Sequence, residues 1–136
     1  MNIFWGIVYM DNKWKELYES AKNVTNPKDI SGTISVGEVG AAVLSKEGNI
    51  YTGICIDTGS SLGMCAERNA ISTMFSNGEF EIARVCSVYC DGTIMPPCGA
   101  CREFMMQTGE DAKNIEVLIS EKKVMKLEEL LPEYPE

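Results

Sequence analysis

Cys65-Ala66-Glu67-Arg68 opens one stretch of helical pattern, and Pro97-Cys98-Gly99-Ala100-Cys101-Arg102 opens a second, with the apolar run Ile82 to Tyr89 between them. In the first stretch, Met64 to Phe75, residues Ala66, Ala70, Ile71, Met74 and Phe75 recur at helical spacing, and Ser76-Asn77-Gly78 stops it. Pro96-Pro97 introduces the second, roughly Cys98 to Gln107, with Gly109 just past its end. Ile82 to Tyr89 and Ile115 to Ser120 read as strands, and a further short strand lies near Lys123 to Lys126, before an acidic tail Leu127 to Leu131. Upstream, Val39-Gly40-Ala41-Ala42-Val43-Leu44 reads as a buried strand whose small side chains allow close approach of a helix or ligand. A Gly48 turn joins it to a second strand, Ile50 to Asp57, as a hairpin. Asp11 to Lys22 carries Trp14, Leu17, Tyr18 and Ala21 on one helical face, and Asn23 to Gly37 has loop composition. Strands alternating with helices predict an α/β sandwich around a mixed sheet.

The chain has 136 residues, enough for one domain around one core, and its apolar and charged fractions (45% and 24%) are those of a globular protein. Its net charge is −8. It lacks the basic stripe that a phosphate backbone demands, so nucleic acid is not an expected partner. A small neutral or cationic molecule is. Ile3 to Tyr9 is apolar but too short to span a bilayer, and it lacks the flanks of a secretory signal. Residues 1–10 read either as an extra strand or as an additional N-terminal segment outside the fold. Six cysteines with no secretion signal favour free thiols in a reducing cytoplasm over disulfides. Cys86 and Cys90, in or beside an apolar strand, read as core.

Cys98 and Cys101, three apart, share a helix face and can share a metal ion; Cys65 offers a third sulfur. Helix N-termini favour thiolates there. Three protein ligands leave a tetrahedral zinc one open position, the mark of a catalytic site. A water held there is acidified, and Glu67, two residues from Cys65 and so on a different helix face, is placed to move its protons. Three thiolates make the zinc electron-rich. Arg68, one turn from Cys65, is placed to withdraw charge by hydrogen bonding a sulfur, and Arg102 is a second candidate. The competing readings are a redox dithiol at Cys98 and Cys101, a four-cysteine structural zinc site completed by Cys55 or Cys90, and surface ion pairs for both arginines.

These two motifs resemble those of the small homotetrameric cytidine deaminases and their relative blasticidin S deaminase, a likeness running from about Trp14 to the C-terminus and including Val39-Gly40-Ala41-Ala42 and Glu129-Leu130-Leu131-Pro132. The resemblance implies a three-layer sandwich with a five-stranded mixed sheet flanked by helices. It implies one zinc ion per chain on Cys65, Cys98 and Cys101, with Glu67 as proton shuttle and Arg68 bonded to the thiolates. It also implies Ala66 beside the substrate, a homotetramer with active sites shared between subunits, and hydrolysis of cytidine or deoxycytidine in cytoplasmic pyrimidine salvage.

The departures concern substrate. Where nucleoside-using relatives carry Asn-x-Glu for the sugar, this chain has Cys55-Ile56-Asp57, and where they carry an aromatic wall for the base it has Gly37. Cys55 and Asp57 share a strand face and can both line a pocket; alternatively Asp57 accepts turn amides. Deamination of a different aminated heterocycle, such as a modified nucleoside or a blasticidin-like compound, therefore stands beside cytidine. A non-enzymatic zinc-binding descendant is the third reading, and the presence of Glu67 speaks against it.

Overall fold

The structure is a computed structural model, described over residues 11–135. The expected N-terminal segment 1–10 therefore lies outside the described residues. Asp11 caps helix α1 (Asn12–Val24) by accepting the Trp14 amide at 3.0 Å. It also accepts from Arg84 Nη1 at 2.8 Å, and this cation holds its carboxyl below the ordinary aspartate range. After α1 the elements run β1 (Lys28–Asp29), β2 (Ile34–Ser45), β3 (Ile50–Thr58), α2 (Ala66–Ser76), β4 (Ile82–Tyr89), α3 (Gly99–Met106), a single 3₁₀ turn (Ala112–Asn114), β5 (Glu116–Ser120), β6 (Lys123–Lys126) and α4 (Leu127–Leu130).

The sheet is mixed. β2 pairs antiparallel with β3 on one edge and β4 on the other, β4 pairs parallel with β5, and β5 antiparallel with β6. Strands β3 and β4 therefore run the same way on either side of β2. This is the expected five-stranded arrangement with a sixth, two-residue strand added, since β1 pairs with Ser35 and Val36. The loop expected over 23–37 is thus shorter: α1 continues to Val24 and β2 begins at Ile34. Ladder bonds from Ile34, Ser35 and Val36 to Thr58, Asp57 and Ile56 hold that early part extended despite its polar composition. The acidic tail forms one helical turn, α4.

Alternation along the strands divides the core in two. Ala42, Leu44, Cys86, Val88 and Leu118 meet Trp14, Leu17, Tyr18 and Ala21 of α1. Ala41, Val43, Val85 and Val117, from the other face, meet α2, α3 and α4 through Ala70, Ile71, Met74, Met105 and Leu127. The result is three layers. Cys86 is fully buried as expected, whereas Cys90 is half-buried, because it stands past the end of β4 with its amide on Glu38 O at 2.7 Å.

Both helix layers press on glycine. A Cβ on Gly40 would lie 2.1 Å from Ala21 O of α1, and one on Gly53 would lie 2.3 Å from Ala70 N of α2. Asn69 Nδ2 bonds Ile54 O at 2.7 Å and fixes α2 along β3 at that level. Gly53→Ala cannot be absorbed by a flexible side chain, since backbone atoms are what it meets. It is expected to lower unfolding free energy by about 1–3 kcal/mol, read from the midpoint of urea denaturation; an unchanged midpoint would show that α2 shifts freely.

Candidate active site

Two chain returns build the site. After β3, Ile56 and Met64 exchange both backbone hydrogen bonds at 2.9 Å, closing the loop between them and delivering the chain to Cys65. After β4, Val88 bridges Ile94 and the Met95 amide bonds Ser87 O at 2.8 Å, delivering Pro96-Pro97 and then Cys98. Cys65 is the N-cap of α2 and Cys98 the N-cap of α3, both in extended conformation, and Cys101 lies in the first turn of α3. Because β3 and β4 run parallel, both helices start at the same edge of the sheet, the usual location of a site in an open α/β fold.

The three sulfurs lie within 4.8 Å of one another, with Cys65 Sγ and Cys98 Sγ 3.3 Å apart. Tetrahedral zinc with Zn–S bonds of about 2.3 Å needs sulfurs separated by about 3.8 Å. The donor set therefore fits one such ion with small adjustment. Burial and then the neighbouring Cys98 push the Cys65 thiol up, while burial followed by Glu67 and the other thiols pushes Cys101 up. At Cys98, burial is outweighed by the Cys101 amide and the adjacent thiols, which hold it below the ordinary thiol range. Such a cluster exchanges protons for a divalent cation. Neither Cys55 nor Cys90 belongs to it: Cys55 Sγ contacts Asp57 Oδ2 at 3.7 Å and accepts the Val39 amide at 3.3 Å. The third sulfur also separates the site from a simple dithiol.

Arg68 Nη2 reaches Cys65 Sγ at 3.8 Å, the sulfur contact expected of it. Arg102 does something else. Its Nε donates to Pro97 O at 2.8 Å and its Nη1 to Leu130 O at 3.2 Å, so it bonds neither a thiolate nor a surface carboxylate. Instead it ties the segment carrying Cys98 to the end of α4.

A cavity of about 390 Å³ opens over the cluster, lined by Cys65, Cys98, Ala66, Glu67 and Arg68 at one end and by Glu38, Cys55 and Asp57 on its strand walls. Glu67 is only 4% exposed, and burial raises its carboxyl above the ordinary glutamate range, partly opposed by Ser87 and Arg68. Ala66, Cys55 and Asp57, expected beside a substrate, all line the cavity. Asp57 lies opposite Ser35 at the penultimate position of β3. Glu38 escaped the sequence reading. Its signal is the pattern Gly37-Glu38-Val39-Gly40, a charged residue between glycines in a strand, which marks a bulge; the β2–β3 register does shift between Val36 and Gly40.

Residues 12–117 match the family described as the cytidine and deoxycytidylate deaminase zinc-binding region. The chain belongs to that family. It is 38% identical over 71 residues to the cytidine deaminase of Halalkalibacterium halodurans (52% of this chain, 54% of the relative). It is 40% identical over 75 residues to a probable cytidine deaminase of Dictyostelium discoideum (53% and 50%). The chain thus spans about half the length of these curated relatives. The crystal structure of a mutant cytidine deaminase from Mycobacterium tuberculosis superposes with a TM-score of 0.78 at 26% identity, covering 93% of this chain and 97% of the other.

Arg102→Ala removes the tie between the Cys98 segment and α4 without deleting a metal donor. It is expected to weaken zinc retention by about 10-fold or more, measured by competition with a chromophoric chelator. Retention equal to wild type would reduce Arg102 to a fold contact.

Proposed function

We propose that residues 1–136 form a single zinc-dependent deaminase domain that hydrolyses cytidine or deoxycytidine to the uracil nucleoside and ammonia. The observation that carries this is the convergence of Cys65, Cys98 and Cys101 beside a buried Glu67 in one cavity. The family membership and the likeness to cytidine deaminases support it. Cys65, Cys98 and Cys101 would hold the zinc, which when bound supplies Lewis acidity and an acidified water at its open position. Glu67 would take a proton from that water and pass it to the ring nitrogen, then take a second from the hydroxyl added at the amine-bearing carbon and deliver it to the departing amine. Its raised affinity for a proton suits a group that must hold one between steps. Arg68 draws charge from the Cys65 sulfur, and Ala66, at the first turn of α2, walls the ring beside Glu67.

Assembly as a homotetramer with shared active sites is part of this reading. Leu62, 84% exposed, and the exposed rings of Phe80 and Phe104 support it as apolar surface available for burial. Among the described residues no helix is long and apolar enough to cross a membrane. Work on free nucleosides in cytoplasmic pyrimidine salvage is the setting proposed.

A second reading keeps the chemistry and changes the ring's substituent, as in a modified nucleoside or a blasticidin-like compound. What favours it is Gly37, whose φ of +83° and whose Cβ position 2.3 Å from Asn26 O leave no room for the aromatic wall. Glu67→Gln is expected to keep about one zinc per chain while turnover falls by about 10²–10⁴-fold; wild-type turnover would remove its proton role. Ammonia release across cytidine, deoxycytidine, cytosine, adenosine and blasticidin S, with and without chelation, tests the reaction and ranks the two readings.

A further inference from the structure

Among the described residues, three buried polar side-chain atoms make no hydrogen bond: Arg68 Nε, Glu79 Oε1 and Ser87 Oγ. Two of these belong to side chains bonded through another atom. Arg68 reaches Cys65 Sγ through Nη2, and Glu79 accepts from Asn49 and Tyr51 through Oε2. Ser87 has no second polar atom to offer. It is 2% exposed, so bulk water does not reach it either. Alanine would fill this strand position without stranding a hydroxyl in the core. A buried hydroxyl without a bond needs an explanation.

The fold shows which way that hydroxyl points. Ser87 follows Val85 by two residues in β4 and lies opposite Ala41 of β2, so with them it faces the layer of α2 and α3. Ala66, immediately before Glu67, packs into the same core. Glu67 lines the cavity and Ser87 does not, which sets the serine behind the carboxyl. The two stand near enough for the hydroxyl to favour the ionised carboxyl against the effect of burial.

Packing already fixes the backbone at Glu67. A Cβ on Gly53 would lie 2.9 Å from Ala66 O, and Asn69 Nδ2 holds Ile54 O at 2.7 Å. What packing leaves free is the direction of the carboxyl at the end of a long side chain. A hydroxyl suits the task of setting it. It rotates, so it donates to an ionised oxygen or accepts from a protonated one, and a single contact serves every stage of a proton transfer. Hydrogen bonds of this kind are often open in the free enzyme and close when ligand binds.

We propose that Ser87 is a positioning residue, its hydroxyl bonding one oxygen of the Glu67 carboxyl when ligand is bound and so turning the other toward the reacting atoms. This rests on the deaminase reading above and adds to it a residue of β4 that lines no part of the cavity.

The test uses the zinc-loaded full chain with cytidine, or with the fastest compound of the panel above. Ser87→Ala is expected to keep about one zinc per chain and a urea midpoint no lower than wild type, since the deleted hydroxyl bonds nothing in the free chain. Its kcat is expected to fall by about 10-fold or more, with KM changed by less than about 2-fold. In a Glu67→Gln background the same substitution is expected to change kcat by less than about 2-fold, because glutamine moves no proton however it is held. Partial loss of folded protein lowers kcat alike in both backgrounds and cannot produce that difference. Unchanged kcat in Ser87→Ala overturns this inference alone and leaves the deaminase reading standing. A fall of the same size in both backgrounds likewise overturns it alone. No ammonia from any compound of the panel with the zinc-loaded wild-type chain overturns the deaminase reading and this inference together.

Discussion

Two helix N-termini must meet at one point, and almost everything else in the molecule follows from that requirement. Because β2 is antiparallel to both of its neighbours, β3 and β4 end at the same sheet edge. Each strand is then followed by a short return bonded back to it, through Ile56 with Met64 and Val88 with Ile94. The returns leave no slack: α2 begins at Cys65 and α3 at Cys98, with 3.3 Å between their sulfurs. The depth of α2 is set by Gly53, where any side chain would strike helix backbone. Packing on the sheet thus determines where the thiols stand, and the thiols in turn tolerate their proximity by sharing a cation.

The parts of this arrangement that lie within a few residues of each other are legible in the sequence. Cys98 and Cys101, and Cys65 and Arg68, are each one turn apart, so spacing alone places them on common faces, and the glycine and proline punctuation brackets both helices correctly. The strand limits Ile82 to Tyr89 and the hairpin about Gly48 follow equally from local pattern. What spacing does not convey is pairing between distant segments. Ser35 becomes strand because Asp57 lies opposite it, and Glu38 enters the cavity because Asn26 and Cys90 hold its bulge. Arg102 finds Leu130 across 28 positions, a partner its own helix gives no hint of. Cys90 looks apolar in sequence and sits half-open because β4 has already ended.

The two ends of the cavity differ in how their charge is managed. At the helix end, sulfur and carboxyl groups crowd together, and the chain provides compensation of its own in Arg68 and in the amides of two helix starts. A divalent ion completes it. At the strand end, Glu38 and Asp57 arise from a bulge and from β3, both stand exposed to solvent, and among the described residues no ion pair engages them.

That difference separates reaction from selectivity in physical terms. The helix end is fixed by backbone geometry and metal preference, so its chemistry changes little if the ligand's substituents change. The strand end is fixed by one glycine whose neighbour Asn26 forbids a side chain, and by the register that sets Cys55 opposite the bulge. A side chain at Gly37 would need the bulge to unfold, which would withdraw Glu38 from the lining in the same movement. An aromatic wall and an acidic wall are therefore alternatives for this backbone, not additions to one another.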